Sequence, residues 1–405
     1  MKILQVHNRY KQAGGEWTVV TQEQKLLSEE HQVDTFYVEN SKEISGLAGR
    51  LKLLYRTHYN SRSKREVFKK IAASEFDIMH VHNFFPVLSP SVFEAARELN
   101  VPSVMSLHNF RLIHPNGLMF YNGEPDHRSV KGSAYRCVPD GVYRNSVLQT
   151  AVVAHMIEYH RKKKTWSKLP SAFIALSDFS RDLFIEGGLP GERIFIKPNF
   201  IEDPLKGQAG QSLEKEKENL FLYVGRISEE KGVEQLTECW LRHKPDARLV
   251  IAGDGPMKRD LESKTAHSDK IEWLGQISRE QILRRLSTAK ALLFPTKCYE
   301  GQPLILLEAM SMGCPVITSK IGNPQNMIDN GKTGFHYKPG DIADLYDKCR
   351  QISENPARAL EMGKRARTLY LEKYTPEKNL ELLTGIYEKA ADLEKKLSRG
   401  DAGYE

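Results

Sequence analysis

Short apolar runs rich in Val, Ile, Leu and Phe alternate with longer amphipathic stretches along most of the chain, and this alternation leaves few folds open. A strand that is apolar at nearly every position must be covered on both faces, which parallel sheets joined by crossover helices achieve. The first half places such runs at Ile3–Val6, Val33–Val38, Ile78–Val81, Ser103–Leu107, Ala172–Leu176 and Ile194–Lys197. From about Ile201 to Asn219 the pattern dissolves, ending in the charged run Glu214-Lys215-Glu216-Lys217-Glu218, and reads as a linker. It then restarts with runs at Leu220–Val224, Leu249–Ala252, Ile271–Leu274, Ala291–Phe294, Pro315–Thr318 and Phe335–Tyr337. A chain of 405 residues suits two domains of roughly 200 residues each.

The expectation is an α/β protein of two doubly wound, Rossmann-like domains, 1–203 and 220–375, joined by a linker over 204–219. A last helix, from Pro376 to about Ser398, offers Leu380, Leu383, Tyr387, Ala390 and Leu393 on one side and is expected to pack back on the first domain. Gly14-Gly15 precede a first helix expected to bury Trp17, Val20 and Leu27, and Ser177 suits the N-cap of a short helix stopping at Gly187-Gly188. Ligands of open parallel sheets lie outside the carboxyl ends of the strands, so the chemistry is expected in a cleft between the two domains.

Met1-Lys2-Ile3-Leu4-Gln5-Val6-His7-Asn8 turns polar too early for a signal peptide or membrane span, which points to a cytoplasmic protein. Cys137, Cys239, Cys298, Cys314 and Cys349 have no regular spacing, which argues against a disulfide framework or a zinc site. The net charge of +7 belongs to the first half: residues 1–200 carry 27 Lys and Arg against 20 Asp and Glu, residues 201–405 carry 32 against 32. The basic stretch Arg50–Lys70 and the run Arg161-Lys162-Lys163-Lys164 are either solvated faces or a surface for anionic lipid head groups or a phosphorylated acceptor. No nucleic-acid partner is expected.

The sharpest local signal is Glu300-Gly301-Gln302-Pro303-Leu304-Ile305-Leu306-Leu307-Glu308, just after a predicted strand. Pro303 suits the first turn of a helix, which puts Glu300 in the loop and Glu308 on the helix. Amides from Gln302 to Ile305 at the helix start can hold a diphosphate, a contribution of roughly 0.3–2 kcal/mol. Carboxylates repel phosphates, so Glu300 and Glu308 suit the hydroxyls of a sugar and a ribose. The second signal is Val224-Gly225-Arg226-Ile227-Ser228-Glu229-Glu230-Lys231-Gly232, where Arg226 and Lys231 can converge on one leaving diphosphate. With no Asp-x-Asp and no ligand cluster at metal spacing, neither metal nor other cofactor is expected. Gly253-Asp254-Gly255-Pro256 and Trp273-Leu274-Gly275-Gln276 follow two further strands and would flank a base. In the first half, the amides of Gly14 and Gly15 can approach a charged ligand. His108 ends a strand and suits a sugar hydroxyl, whereas His80 and His82 read as structural. A dinucleotide fingerprint is absent from both halves, which counts against a dehydrogenase.

These segments, in this order, with Ala309-Met310-Ser311-Met312-Gly313-Cys314-Pro315-Val316-Ile317 behind them, resemble glycosyltransferase family 4, whose members are retaining enzymes of the GT-B type. The first half resembles members acting in bacterial surface-polysaccharide synthesis, through Gly14-Gly15-Glu16, Val81-His82-Asn83-Phe84-Phe85-Pro86, Leu107-His108-Asn109-Phe110 and Lys197-Pro198-Asn199-Phe200. The resemblance implies that Arg226 and Lys231 contact the donor diphosphate, Glu308 the ribose, Glu300 the transferred sugar, and His108 the donor sugar. It implies a UDP- or GDP-hexose donor, a glycan or lipid-linked acceptor and retention of configuration without metal. The family often has Asn-Gly where this chain has Lys197-Pro198-Asn199-Phe200. A nucleotide-sugar epimerase or phosphorylase on the same fold, and a non-enzymatic two-domain binding protein, remain alternatives at this level.

Overall fold

The computed structural model describes residues 1–10, 14–39, 55–207 and 216–399. The chain divides into two compact units, one of Met1–Met119, Asp126–Asn199 and Asn379–Glu405, the other of Phe120–Pro125 and Phe200–Lys378.

The first unit holds strands β1 (Lys2–Arg9), β2 (Gln32–Glu39), β3 (Ile78–Asn83) and β4 (Ser103–Leu107). A small hairpin, β5 (Phe120–Tyr121) and β6 (Glu124–Pro125), belongs to the second unit, and β7 (Ala172–Ala175) and β8 (Ile194–Ile196) return to the first. The first sheet is wholly parallel, in the order β2-β1-β3-β4-β7-β8. Its helices are α1 (Gly15–Leu27), α2 (Ser61–Ala72), α3 (Ser91–Glu98), α4 (Val147–Lys162), α5 (Thr165–Lys168) and α6 (Asp178–Glu186). Ser177 caps α6 with a reciprocal bond to Ser180, and the helix ends at Gly187, as its sequence implies. One face of the sheet buries Ile3, Ile78, Val104 and Ile174.

In the second unit, β9 (Leu220–Val224), β10 (Arg248–Ala252), β11 (Ile271–Gly275), β12 (Ala291–Phe294), β13 (Val316–Ser319) and β14 (Gly334–Tyr337) form a parallel sheet ordered β11-β10-β9-β12-β13-β14. Alternate residues of β9 enter different cores, Phe221 and Tyr223 on one face, Leu220 and Leu222 on the other. Burial on both faces is why these strands read as unbroken apolar runs. The covering helices are α7 (Val233–His243), α8 (Lys258–Thr265), α9 (Arg279–Thr288), α10 (Leu304–Ser311), α11 (Gly322–Met327), α12 (Ile342–Glu354) and α13 (Pro356–Lys373).

The last helix, α14 (Pro376–Arg399), gives its residues from Asn379 onward to the first unit, where Leu383, Ile386, Tyr387 and Ala390 complete the core. Two local expectations need correction. Leu393 is only half-buried, and Glu394 is buried instead, because Arg97 neutralises it and the Ser171 hydroxyl donates to it at 2.7 Å. On α1, Trp17 is half-buried against the His7 ring at 5.5 Å, while Glu23 takes the buried position. The segment expected as a linker also starts inside the second unit. Ile201 is buried there and its carbonyl accepts from Tyr370 Oη at 3.0 Å, while Asp203 pairs with Arg367 at 2.6 Å. Residues 208–215 of that segment lie outside the described residues.

Of the basic stretch Arg50–Lys70, residues 50–54 lie outside the described residues. On α2, Arg62 pairs with Glu66, Lys64 with Glu94 and Glu98, and Lys70 with Asp34, while Arg65 and Lys69 are exposed. Arg161 is likewise engaged internally, by the carbonyls of Ser129 and Gly132. Among the described residues, no helix is long and apolar enough to cross a membrane.

Candidate functional site

Strand order locates the most reactive part of the second unit. Numbered from β9, its sheet runs 3-2-1-4-5-6, so the connections leave in opposite directions from β9 and β12 and open a crevice at their carboxyl ends. Both sharp sequence signals fall there. After β9, Val224 leads to exposed Arg226 and a short turn, Glu229–Lys231. That turn is fastened to the end of β12: the Lys297 amide donates to the Glu230 carbonyl at 2.9 Å, and Thr296 Oγ1 lies 3.3 Å from the same oxygen. Gly232 makes the fit possible, with φ +68° and a position where an added Cβ would lie 2.0 Å from the Pro295 carbonyl oxygen.

The result is that Lys231 Nζ donates to Glu300 Oε1 at 2.5 Å, and Thr296 Oγ1 donates to the same oxygen at 3.2 Å. Burial works against the Lys231 ammonium, but the Glu300 carboxylate outweighs it and holds the lysine above its ordinary range. The Arg226 carbonyl accepts from Tyr223 Oη at 2.8 Å, while its guanidinium makes no hydrogen bond or ion pair among the described residues. The loop between Glu300 and α10 is pinned where the buried Asn323 amide donates to the Gly301 carbonyl. Pro303 occupies the N-cap, one position earlier than the first turn expected for it, and gives no side-chain cap. The amides of Leu304 and Ile305 are therefore left for an anion. Gln302 is buried, and Glu308, one side of α10 further on, accepts from Arg279 Nε at 2.9 Å. Burial pushes the Glu308 carboxyl upward, and Arg279 partly offsets it.

The loops after β10 and β11 are laced to this region. Gly225 N–H donates to the Ala252 carbonyl (3.0 Å), Ile227 N–H to that of Asp254 (2.9 Å), and Gly253 N–H to that of Gly275 (2.7 Å). Gly253 has φ +143° and would place a Cβ 1.8 Å from the Gly225 oxygen, so only glycine lets the two loops touch. Gly275 and the exposed Gln276 end the series.

In the first unit, the order 2-1-3-4-5-6 puts the corresponding crevice between β1 and β3. Gly14 and Gly15 open α1 there without a side-chain cap and with open space around both. Glu16 behind them accepts from Asn83 Nδ2 (2.9 Å) and Asn109 Nδ2 (3.5 Å), and burial pushes its carboxyl up to about 7. His108, just past β4, lies with Nε2 3.1 Å from His82 Nδ1 and stacks on that ring. Burial lowers His108 to about 4, so it is neutral at pH 7. His80 and His82 are buried, as structural histidines should be.

The fold brings together two sets of potential metal ligands that sequence spacing does not reveal, Glu23/His80/His82 and His114/Asp126/Cys137. The donor chemistry of both fits hydrogen bonding better. Lys197 Nζ already holds Glu23 Oε2 at 2.7 Å. His114 Nδ1 accepts from the Asn116 amide, leaving its Nε2–H to donate to Asp126, which Arg128 also holds.

Two family models match the chain: "Glycosyltransferase Family 4" over residues 3–203 and "Glycosyl transferases group 1" over residues 207–369. The chain is a family 4 glycosyltransferase. It is 26% identical over 352 residues to the alpha-D-kanosaminyltransferase of Streptomyces kanamyceticus, covering 83% of this chain and 81% of that protein. To a sulfoquinovosyl transferase of Arabidopsis thaliana it is 34% identical over 151 residues, 36% of this chain and 29% of that one. Among solved structures, Anabaena HepE in complex with UDP superimposes with a TM-score of 0.67 at 15% identity, over 96% of this chain and all of that one. The fold is thus the pair of parallel-sheet, Rossmann-like domains of GT-B glycosyltransferases.

For this glycosyltransferase, the fold joins Lys231 to Glu300 and sets both beside the start of α10, whereas the Arg226 guanidinium has no partner among the described residues. Sequence reasoning missed Arg279 on Glu308 and Glu23 beneath the histidines. Each lies far along the chain from its partner, so no spacing could show it. Thr296 was missed as well, though it lies only four residues before Glu300 on the same segment.

Proposed function

We propose that the enzyme transfers a hexose-type sugar from a UDP- or GDP-linked donor to a glycan or lipid-linked acceptor, with retention of configuration and without a metal. The observation that carries this reading is the Lys231–Glu300 pair beside the uncapped start of α10, with Arg226 exposed on the neighbouring loop. Lys231 spends one N–H on Glu300, and its other two can meet diphosphate oxygens together with the Arg226 guanidinium and the amides of Leu304 and Ile305. These groups meet the charge that develops on the leaving diphosphate, a role in which one preorganised donor is worth on the order of a hundred- to a thousandfold in rate. Glu300, oriented by Thr296 and Lys231, accepts from a hydroxyl of the transferred sugar, and Glu308 from the ribose. His108 hydrogen-bonds a further sugar hydroxyl, and Gly253, Gly275 and Gln276 flank the base. UDP and UDP-glucose in complexes of the structurally similar Anabaena protein support a uridine donor, and the resemblance of the first half supports a role in cell-surface polysaccharide synthesis.

The test is thermal unfolding with millimolar UDP, GDP or ADP, on the wild type and on an Arg226→Ala/Lys231→Ala variant. Ligand at about 100 times its dissociation constant adds roughly 2.7 kcal/mol. One nucleotide is expected to raise the midpoint of the wild type and not of the variant. No shift with any of the three would remove the diphosphate reading of this site.

A further inference from the structure

Glu23 is used by nothing in the transfer reaction, yet it is buried under the residue expected to touch the sugar. Its Oε2 is held by Lys197 Nζ at 2.7 Å, while its Oε1 has no hydrogen-bond donor at ordinary distance among the described residues. Two imidazoles face that oxygen, His80 Nδ1 at 3.3 Å and His82 Nε2 at 3.4 Å. His80 is engaged at both nitrogens, by Tyr387 Oη (2.7 Å) and Ser106 Oγ (2.8 Å). A buried carboxylate oxygen facing a nitrogen lone pair is strongly unfavourable, so the proton of His82 belongs on Nε2, towards Glu23.

The Gln5 side-chain amide, which spans His82 Nε2 (2.9 Å) and Tyr37 Oη (2.6 Å), accommodates this. Its two ends exchange without change of shape, so charge decides their placement. With its oxygen towards His82, its NH2 donates to Tyr37 Oη, and Tyr37 donates to Gln24 Oε1 at 3.1 Å. His82 Nδ1 is then an acceptor, and its partner among the described residues is the Nε2–H of His108, 3.1 Å away.

We propose that Glu23, anchored by Lys197, acts through His82 as a positioning residue that fixes His108 in its Nε2–H tautomer and leaves Nδ1 as a hydrogen-bond acceptor for a ligand hydroxyl. The tautomer follows from the first unit alone; its consequence for turnover rests on the proposed role of His108 at the sugar. The sequence Lys197-Pro198-Asn199-Phe200, where the family often has Asn-Gly, gains a function in the same step. Its lysine supplies the charge that keeps Glu23 ionised in the interior.

Nitrogen-15 NMR of histidine-labelled protein reads the two nitrogens of His108 directly, with His108→Gln giving the assignment. The wild type is expected to show His108 protonated at Nε2 and bare at Nδ1. Glu23→Gln/Lys197→Met removes both buried charges together, so the variant keeps its fold. Its two tautomers are expected to approach equal population, a change of about ten- to hundredfold, the preference set by one hydrogen bond to a charged group. A wild-type His108 protonated at Nδ1, or a tautomer ratio unchanged in the double variant, overturns the proposal. Hydrolysis of UDP-glucose, measured on the same pair, separates the two readings. A fall in kcat/KM alongside the tautomer change supports both, while the tautomer change with unaltered hydrolysis keeps the relay and removes His108 from the sugar.

Discussion

Replacing Lys197 by Met tests the interior of the first unit at its most charged point. Lys197 and Glu23 are both buried, their charged atoms are 2.7 Å apart, and among the described residues the ammonium's other polar contact is the Asn379 side-chain oxygen at 3.3 Å. Burial alone would raise the Glu23 carboxyl, but Lys197 outweighs it and holds the group below its usual range. Removing the lysine strands that carboxylate in the core. The loss of one partner of a buried pair costs about 3–5 kcal/mol, which at about 2–4 °C per kcal/mol for a unit of this size lowers its midpoint by roughly 6–20 °C. Calorimetry at pH 8 and pH 5 checks it. In the variant Glu23 is raised above its unfolded value, so protonation stabilises the folded state as pH falls, and the gap from the wild type narrows at pH 5. Glu23→Gln/Lys197→Met leaves no unpaired charge and is expected to recover most of the loss. A single-variant cost under about 1 kcal/mol, or a double variant no more stable than the single one, would refute the reasoning.

Glu16→Gln bears on the pH profile of stability. The folded carboxyl, raised from 4.5 to about 7 by burial, favours the protonated form, so the wild type loses stability as pH rises through that window. The difference of roughly 2.5 units corresponds to about 3 kcal/mol, so the variant is expected to be the more stable protein at pH 8 and not at pH 4, measured by urea unfolding. Gly253→Ala forces a Cβ against the Gly225 carbonyl at a positive φ. A loss of about 2 kcal/mol or more is expected, together with a weaker thermal shift on adding UDP, and an unchanged shift would separate these loops from the nucleotide.

Most strands were legible because they are apolar on both faces. Ser103–Leu107, Leu220–Val224 and Ala291–Phe294 run where the apolar residues do, and the others differ by a few residues at their polar ends. The hairpin Phe120–Pro125 was not visible, since two-residue strands carry no periodicity. Of the site, the segment Glu300–Glu308 was readable because loop, N-cap and helix are contiguous. The partners that fix its side chains were not. Arg279 reaches Glu308 from another helix, and Glu23 reaches His82 from α1. Buried polar contacts of this kind are made by the fold and leave no local pattern. Nor could the sequence show that Lys64, Lys70, Arg161 and Lys197, part of the basic excess of the first half, answer to acids or carbonyls inside it.

The place of α14 sets the order in which the protein can be completed on the ribosome. The first sheet emerges early, but the face formed by Ile3, Ile78, Val104 and Ile174, which Leu27 covers in part, is not closed until Leu383, Ile386, Tyr387 and Ala390 have been translated. Most of the second unit lies between them and can close around its own cores in the meantime. The half that is made first is therefore finished last, and throughout that interval its open apolar face is a natural target for chaperones.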